Sequence, residues 1–182
     1  MAFADRIPLA KLLPRPRPGS HRNILRQGWD LLSGMPGGRM LFSRLVGRMA
    51  PYTGSIHASV TVLRAGYAEV EMQDRRGVRN HLDCIHAIAL ANLAELAGNL
   101  ALAYSLPDDA CFIVSGIEIE YTKKARGRIT AIGETPIPRT SARAQYDVPV
   151  TLRDASGDEV ARAVLHSLVG PKPGAATERE VN

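Results

Sequence analysis

Three side chains that could act on an acyl group lie between Arg79 and the middle of a long apolar stretch. Asn80, His86 and Glu95 are separated by six and then nine residues. A carboxylate inside an apolar helix is costly to bury in its charged form unless a partner or a proton compensates the charge. Glu95 is therefore a candidate general base or nucleophile. The competing interpretation is a glutamate that faces solvent or pairs with an arginine.

His86 precedes the first turn of the predicted helix. Backbone amides in a first helical turn have no intrahelical acceptor, and the helix dipole favours negative charge there. The amides of Ala87 and Ile88 could therefore stabilise the oxyanion that forms when the carbonyl of a thioester or ester is attacked. In the alternative interpretation, the polar residues from Asn80 to Asp83 only turn the chain and cap the helix.

A cluster of cations follows the predicted third strand. Lys123, Lys124, Arg126 and Arg128 lie within six residues. Several phosphates on one ligand would match such a cluster, and coenzyme A is a ligand of that kind. The alternative is a solvated turn beside two glutamates of the preceding strand.

These residues must be positioned by one long helix and a set of strands. Residues 85–106 are apolar on almost every side, which predicts a buried helix. The stretch approaches the length of a membrane span, but its polar residues Asn92, Glu95 and Asn99 favour a helix of a soluble protein. Apolar residues alternate with polar ones in six predicted strands, at residues 56–62, 68–72, 113–121, 129–132, 146–152 and 160–169.

The order β-β-α-β-β-β-β, with no second helical layer, predicts an α+β fold. A curved antiparallel sheet of about six strands should wrap around one long central helix, which is the hotdog architecture. An open sheet edge and a half-covered helix predict a homo-oligomer, a dimer or a tetramer.

The basic charge of the chain is concentrated near its beginning. The formal net charge is +5, but residues 1–50 carry nine basic and two acidic residues, a net charge of +7. The remaining 132 residues therefore carry a net charge of −2. No nucleic-acid partner is expected for a near-neutral globular part. Contact of the basic arm with an anionic membrane is the less favoured alternative to a helical lid packed on the sheet.

Four regions are expected along the chain. Residues 1–20, with four prolines and four basic residues, predict a flexible leader, and residues 21–50 predict an extension of two short helices. Residues 51–171 form the hotdog domain, and residues 172–182 form a disordered tail.

Cysteine content and the N-terminal segment predict the compartment. Cys84 and Cys111 match no metal-ligand or redox spacing, so both are expected to be reduced core residues, and no metal site is predicted. Prolines and charges interrupt the first residues, so no secretory signal is expected. A cytoplasmic location follows from these two observations.

The residues in this pattern resemble a known family. In hotdog thioesterases of the phenylacetate-pathway type, an Asn stands six residues before a His-Gly-Gly step, and an acidic residue follows that His by nine. Asn80, His86 and Glu95 match both intervals. The pattern PYT…RNH…HAIALANLAE…YTKKARG also resembles a poorly characterised hotdog branch of unknown function, over residues 51–171.

This resemblance implies an acyl-CoA thioesterase that needs no cofactor beyond the coenzyme A of its substrate. Glu95 would be the base or nucleophile, an amide of Ala87 or Ile88 the oxyanion donor, and Asn80 would orient the water or carbonyl. His86 would support the turn or the substrate. Because residues 86 and 95 lie on opposite faces of a helix, the resemblance implies a site completed by a second subunit.

Two departures from the family pattern keep other functions open. The His-Gly-Gly step is His86-Ala87-Ile88 here, and Asp83 stands where the family usually has Gly. Side chains at these positions favour a second hypothesis, a non-catalytic acyl or acyl-CoA binding protein. A hydratase or dehydratase ranks lower, because such enzymes commonly have an Asp and a His about five residues apart, whereas Asp83 and His86 are three apart.

Overall fold

One antiparallel sheet and one long helix account for most of the structure. The computed structural model describes residues 22–173, so the predicted leader and residues 174–182 of the predicted tail lie outside the described residues. The helices are α1 (Ile24–Leu32), α2 (Gly38–Met49), α3 (Pro51–Gly54) and α4 (Ala87–Ser105), with a 3-10 turn at Arg76–Val78. The strands are β1 (Ser59–Arg64), β2 (Tyr67–Met72), β3 (Ala110–Tyr121), β4 (Ile129–Glu134), β5 (Ala144–Arg153) and β6 (Glu159–Pro171).

The six strands form a single sheet in the order β1-β2-β4-β5-β6-β3. Every neighbouring pair is antiparallel, and the longest pairing joins β3 to β6. The sheet packs around α4, which confirms the predicted α+β hotdog fold. The strands alternate as expected, with the buried side chains of β2, β4, β5 and β6 turned towards α4.

Two glycines set how closely α4 approaches the sheet. A Cβ atom on Gly133 of β4 would lie 2.7 Å from the carbonyl oxygen of Ala97, and one on Gly98 would lie 2.2 Å from the Leu165 side chain. Helix and sheet backbones therefore touch at positions where no side chain fits. The length and hydropathy of α4 would suit a membrane span, yet most of the helix is buried inside the fold.

The two helices expected between residues 21 and 50 are present as α1 and α2. Trp29 and Phe42 pack edge to face with ring centroids 5.1 Å apart, which joins the two helices. Asn23 caps α1 by accepting the Arg26 amide at its Oδ1. Its Nδ2 group donates to the carbonyls of Ala103 (2.7 Å) and Leu106 (3.3 Å) at the end of α4.

Helix α2 covers one edge of the sheet. The Ser43 hydroxyl accepts the Val60 amide at 2.9 Å, and the Arg39 guanidinium donates to the Thr61 carbonyl at 3.0 Å. Through these hydrogen bonds, the two side chains satisfy backbone polar groups of β1 that point away from β2. Strand β3 forms the other edge of the sheet, and among the described strands it pairs with β6 alone.

Two local expectations are wrong. The first strand begins at Ser59 rather than at residue 56, because α3 and a left-handed residue, His57 (φ 52°), precede it. Cys111 is exposed on the edge strand β3, while Cys84 is buried as expected, and both are free thiols. Alternation in an edge strand predicts the face on which a residue lies, but it does not predict that both faces are covered.

Candidate functional site

The candidate site begins at the N-terminus of α4, where His86 is the N-cap residue. Its backbone is extended, and its Nδ1 atom accepts the backbone N–H of Ile88 at 3.1 Å. Because Nδ1 is the acceptor, the proton of the neutral imidazole lies on Nε2. The His86 side chain is exposed, so the Nε2–H group is free to donate to a ligand.

The first turn of α4 offers one free amide rather than two. The sequence predicts the backbone amides of Ala87 and Ile88 as oxyanion donors. The Ile88 amide, however, already donates to Nδ1 of His86. The Ala87 amide forms no hydrogen bond with any residue in the range 22–173. The Ile88 side chain is 54% exposed at the same helix end. Oxyanion stabilisation at this helix start would therefore rest on Ala87.

Asn80 holds the loop that leads into α4. Its Oδ1 atom accepts the amides of Leu82 (2.9 Å) and Cys84 (3.4 Å), and its backbone amide donates to the Cys84 carbonyl (2.9 Å). The side chain therefore turns the chain, as one interpretation of the sequence expects. Its Nδ2 group has no acceptor among the described residues and remains available as a donor.

The loop between β3 and β4 supports this turn from below. The Ala125 carbonyl accepts the Ile85 amide at 2.9 Å, and Arg126 donates to the Asp83 carbonyl at 3.2 Å. The Tyr121 hydroxyl, at the end of β3, donates to the Ala87 carbonyl at 3.0 Å. Burial raises the pKa of Tyr121, so this hydroxyl remains protonated at neutral pH. The segment of basic residues is thus part of the scaffold of the helix start.

An ion-pair network fixes the other side of the turn. Arg79 donates to Asp74 (2.6 Å) and to Asp83 (2.8 Å), and Asp74 also accepts the Gly127 amide at 2.9 Å. The bond from Arg79 lowers the pKa of Asp74, whose side chain is 9% exposed. Asp83 itself adopts a left-handed backbone with φ 52°. The aspartate that replaces the family glycine is held in a conformation that glycine adopts more easily.

Most of the four residues predicted to bind coenzyme A already contact other groups of the same chain. Lys123 pairs with Asp154 and Asp158, both at 2.7 Å, and the hydrogen bond that it donates to Asp154 is the main reason that its pKa is raised. Arg128 lies 3.9 Å from Glu71. Lys124 is the member of the cluster without a partner among residues 22–173. Binding of coenzyme A by Lys123, Lys124, Arg126 and Arg128 stays a prediction, and carboxylates already pair with two of these four cations, Lys123 and Arg128.

Glu95 lies two turns further along α4 and is half-buried. Its Oε1 atom accepts Nδ2 of Asn99 at a long 3.5 Å, and it forms no ion pair within the described part of the chain. It is therefore neither a fully solvated glutamate nor the partner of an arginine. Helix α4 is mostly buried, but a row at helical spacing is not fully covered by the sheet: Ile88, Ala91, Glu95 and Asn99.

One protomer does not bring His86 and Glu95 together. Helix α4 is unbroken, so nine residues correspond to about 13.5 Å of rise and two and a half turns. Asn80 lies in the loop that leads to His86 at the start of the helix, while Glu95 lies on the uncovered face. The arrangement leaves Glu95 accessible to whatever packs against that face.

A cavity of about 380 Å³ opens beside the helix start, and residues that sequence analysis did not nominate form part of its wall. Tyr52 and Asn92 line it together with Arg79, His86 and Ile88. Asn92 is 5% exposed and donates from Nδ2 to the Tyr52 carbonyl at 3.2 Å, while its Oδ1 has no partner within residues 22–173. Both residues lie inside the PYT and HAIALANLAE motifs, which is the signal that could have identified them.

Comparison with known proteins places the chain in a family. The model of a family described as a domain of unknown function, DUF4442, matches residues 38–169. The chain belongs to the DUF4442 family. A search of curated proteins finds no match.

Solved structures share the fold of this DUF4442 chain. The structural-genomics protein APC5556 is 33% identical with a TM-score of 0.70, over 81% of this chain and 99% of that one. A Pseudomonas aeruginosa protein of unknown function, described as a probable thioesterase, is 22% identical with a TM-score of 0.66, over 76% and 97%. A thioesterase from Haemophilus influenzae is 14% identical with a TM-score of 0.61, over 69% and 88%. The DUF4442 chain therefore has the hotdog fold found in proteins named thioesterases.

Proposed function

We propose that the protein hydrolyses acyl-CoA thioesters at a site that two copies of the chain complete. The observation that carries the proposal is the free Ala87 amide at the start of α4, combined with an unpaired Glu95 on the uncovered face of the same helix. A second copy packed against that face would bring its Glu95 towards the helix start of the first copy. The same packing would cover the row that includes Ile88 and Ala91.

The proposed reaction uses these groups as follows. Glu95 of one copy removes a proton from water, and the resulting hydroxide attacks the thioester carbonyl carbon. The Ala87 amide of the other copy donates to the oxyanion that develops. Asn80 Nδ2 and His86 Nε2 donate to the water or the carbonyl and hold the reacting atoms in place.

When the tetrahedral intermediate collapses, the carbon–sulfur bond breaks and the thiolate of coenzyme A leaves. The proton held by Glu95 passes to that sulfur, so the products are a carboxylic acid and a free thiol. Direct attack by Glu95 on the carbonyl, followed by hydrolysis of the anhydride, would use the same residues and consume the same single water.

A panel of short, medium and aromatic acyl-CoAs tests the proposal through release of the thiol. Glu95→Gln should lower kcat at least about 100-fold, because general-base catalysis contributes that much or more. Glu134→Gln is the matched control, because Glu134 is exposed at the end of β4 and is not one of the residues of the candidate site. An unchanged rate in the Glu95 variant would show that the assigned roles are wrong.

Mixing two inactive variants tests whether the site is shared. Asn80→Asp keeps an oxygen that accepts the loop amides but loses the Nδ2 donor, so the fold should survive. A dimer of one Asn80→Asp chain and one Glu95→Gln chain contains one intact site. Random mixing should therefore recover about a quarter of the wild-type rate. No recovery from two folded, exchanging variants would place the whole site within one copy.

A non-catalytic acyl-CoA binding protein is the second candidate. The exposed Ile88 side chain and the occupied Ile88 amide favour it, because both reduce the space and the donors available at the helix start. Saturable binding of acyl-CoA with no thiol release in the same panel would support this candidate and exclude hydrolysis.

A further inference from the structure

A second and larger cavity lies between the N-terminal helices and the sheet. It has a volume of about 760 Å³. It is lined by α2, by α3, by the first residues of β1 and by Leu96 of α4. We call it the α2 cavity. Its volume is in the range of cavities that hold small organic ligands. None of the residues nominated from the sequence lines it.

The α2 cavity is lined by two arginines without a carboxylate partner among the described residues, and by one histidine. Arg44 and Arg48, one turn apart on α2, and His57 all line it. The side chains of these three residues form no ion pair or hydrogen bond with a residue in the range 22–173, and none of the described lining residues is acidic. Like charges four residues apart on a helix are mutually destabilising. Helix α2 carries this cost without a compensating group of its own.

Three other arginines of the protein pair closely with carboxylates. Arg26, Arg79 and Arg162 each lie within 2.8 Å of a carboxylate oxygen. In the predicted coenzyme A cluster, Lys123 is bound by two carboxylates. Arg44 and Arg48 of α2 line a described cavity, whereas no residue of the loop between β3 and β4 lines either of the two described cavities.

The backbone around the α2 cavity is fixed by close contacts. A Cβ atom on Gly54 of α3 would lie 2.3 Å from the Gly47 carbonyl oxygen, so α2 and α3 touch backbone to backbone. His57 is held with a positive φ of 52°, a conformation that residues other than glycine seldom adopt. Strain of this kind persists only where the surroundings impose it, and here it holds an imidazole at the wall of a cationic cavity.

The position of the α2 cavity connects it to the candidate site. Ser55 lines both this cavity and the smaller one at the helix start, and α3 contributes residues to both walls. Along α4, Asn92 lines the smaller cavity and Leu96, one turn later, lines the larger one. A ligand with an anionic end and a long arm could occupy both at once.

We propose that Arg44, Arg48 and His57 in the α2 cavity bind the phosphate-bearing nucleotide end of acyl-CoA. This inference rests on the proposed function and assigns the substrate phosphates to residues outside the predicted cluster. Guanidinium groups bind phosphate through two parallel hydrogen bonds, and an apolar wall of Met40 and Val46 suits the organic part of the ligand.

The test titrates the full chain with coenzyme A, pantetheine, inorganic phosphate and a soluble short-chain phosphatidic acid, using calorimetry. Arg44→Gln/Arg48→Gln should weaken binding of coenzyme A roughly tenfold or more and leave pantetheine binding unaffected. Arg139→Gln/Arg143→Gln is the matched control, because it removes the same charge at two exposed positions away from the cavity. It should bind coenzyme A as the wild type does.

Each other outcome overturns the assignment. Unchanged binding of coenzyme A by the Arg44→Gln/Arg48→Gln variant, called the α2 variant, excludes the α2 cavity as the phosphate site. Equal weakening of coenzyme A binding in the Arg139→Gln/Arg143→Gln control shows only a general effect of charge. Tighter, arginine-dependent binding of inorganic phosphate or phosphatidic acid would identify a phosphate site that does not serve coenzyme A.

A kinetic comparison separates this inference from the proposed function. If the wild type hydrolyses acyl-CoA, the α2 variant should lose about tenfold in its preference for acyl-CoA over a phosphate-free N-acetylcysteamine thioester. Hydrolysis with an unchanged preference contradicts the phosphate site alone. Absence of hydrolysis in the wild type contradicts the proposed function. The titration with coenzyme A alone then tests whether the α2 cavity binds phosphate.

Discussion

The imidazole of His86 and the backbone amide of Ile88 are joined by a hydrogen bond of 3.1 Å, so the residue that could contact a substrate is also the cap of α4. The two roles use different nitrogens. Nδ1 accepts from the helix, while Nε2 faces solvent. Variants that keep one role and remove the other can therefore separate helix stability from chemistry.

His86→Ala should lower the free energy of unfolding by about 1 kcal/mol, the usual cost of losing an N-cap acceptor. His86→Asn supplies an amide oxygen in a favoured N-cap residue and should stay within about 0.5 kcal/mol of the wild type. Urea denaturation measures both values. Equal destabilisation by the two variants would argue against capping. A slow but fully stable His86→Asn protein would assign the Nε2 donor to the reaction.

Asn23→Ala should destabilise the protein by roughly 2 kcal/mol, because the side chain bonds to α1 with its oxygen and to the end of α4 with its nitrogen. Asn23→Asp should be at least as harmful. Its second oxygen would face the carbonyls of Ala103 and Leu106, at the negative end of the α4 dipole. At an ordinary N-cap, Asp and Asn are equivalent, so thermal unfolding of the Asp variant at neutral pH distinguishes the two situations.

Gly133→Ala should destabilise the protein by about 1–3 kcal/mol or prevent folding, because the new methyl group would overlap the Ala97 carbonyl. Gly34→Ala is the control, since a Cβ atom there meets nothing within 4 Å. It should change stability by less than about 0.5 kcal/mol. Denaturant midpoints of the two purified variants make the comparison. A tolerated Gly133→Ala would show that helix and sheet do not touch at this point.

The Asp74–Arg79 pair predicts a loss of stability in acid. The pKa of Asp74 is lowered in the folded protein, so its contribution is complete above the pKa of an unfolded aspartate, about 3.9. It is lost as pH falls through the lower, folded value. The stability difference between wild type and Asp74→Asn should therefore be constant from pH 7 to about 5 and shrink below about pH 4. A difference that grows in acid would contradict this sign.

The sequence was sufficient to predict the fold because the periods are unambiguous. Alternation in the strands and the all-round apolar character of residues 85–106 leave few arrangements besides a sheet around a central helix. The same pattern predicted that His86 precedes the first turn of the helix and that Glu95 lies on the helix, which is where α4 has them. Periodicity predicts where helices and strands lie and which face of an element a residue occupies, and no further information is needed for these positions.

The partners of individual side chains could not be predicted in this way. The Ile88 amide is unavailable as an oxyanion donor because of the rotamer of His86. The pairing of Lys123 depends on two aspartates that lie more than thirty residues away, in the turn between β5 and β6. The α2 cavity required the packing of α3 on Gly47, and a helix as short as α3 leaves almost no periodic signal. Each of these features depends on tertiary geometry.

The side chains of Ser43 and Arg39 bond to the backbone of β1 and thereby close that edge of the sheet to another strand. This limits how many copies of the chain can join by pairing strands at their sheet edges. With that edge closed, β3 is the edge at which the sheet can be extended by another strand. Two copies joined through β3 would make one continuous sheet whose outer margins are both closed by α2. Such a sheet ends at two molecules, so edge pairing gives a finite pair and cannot propagate into a fibre.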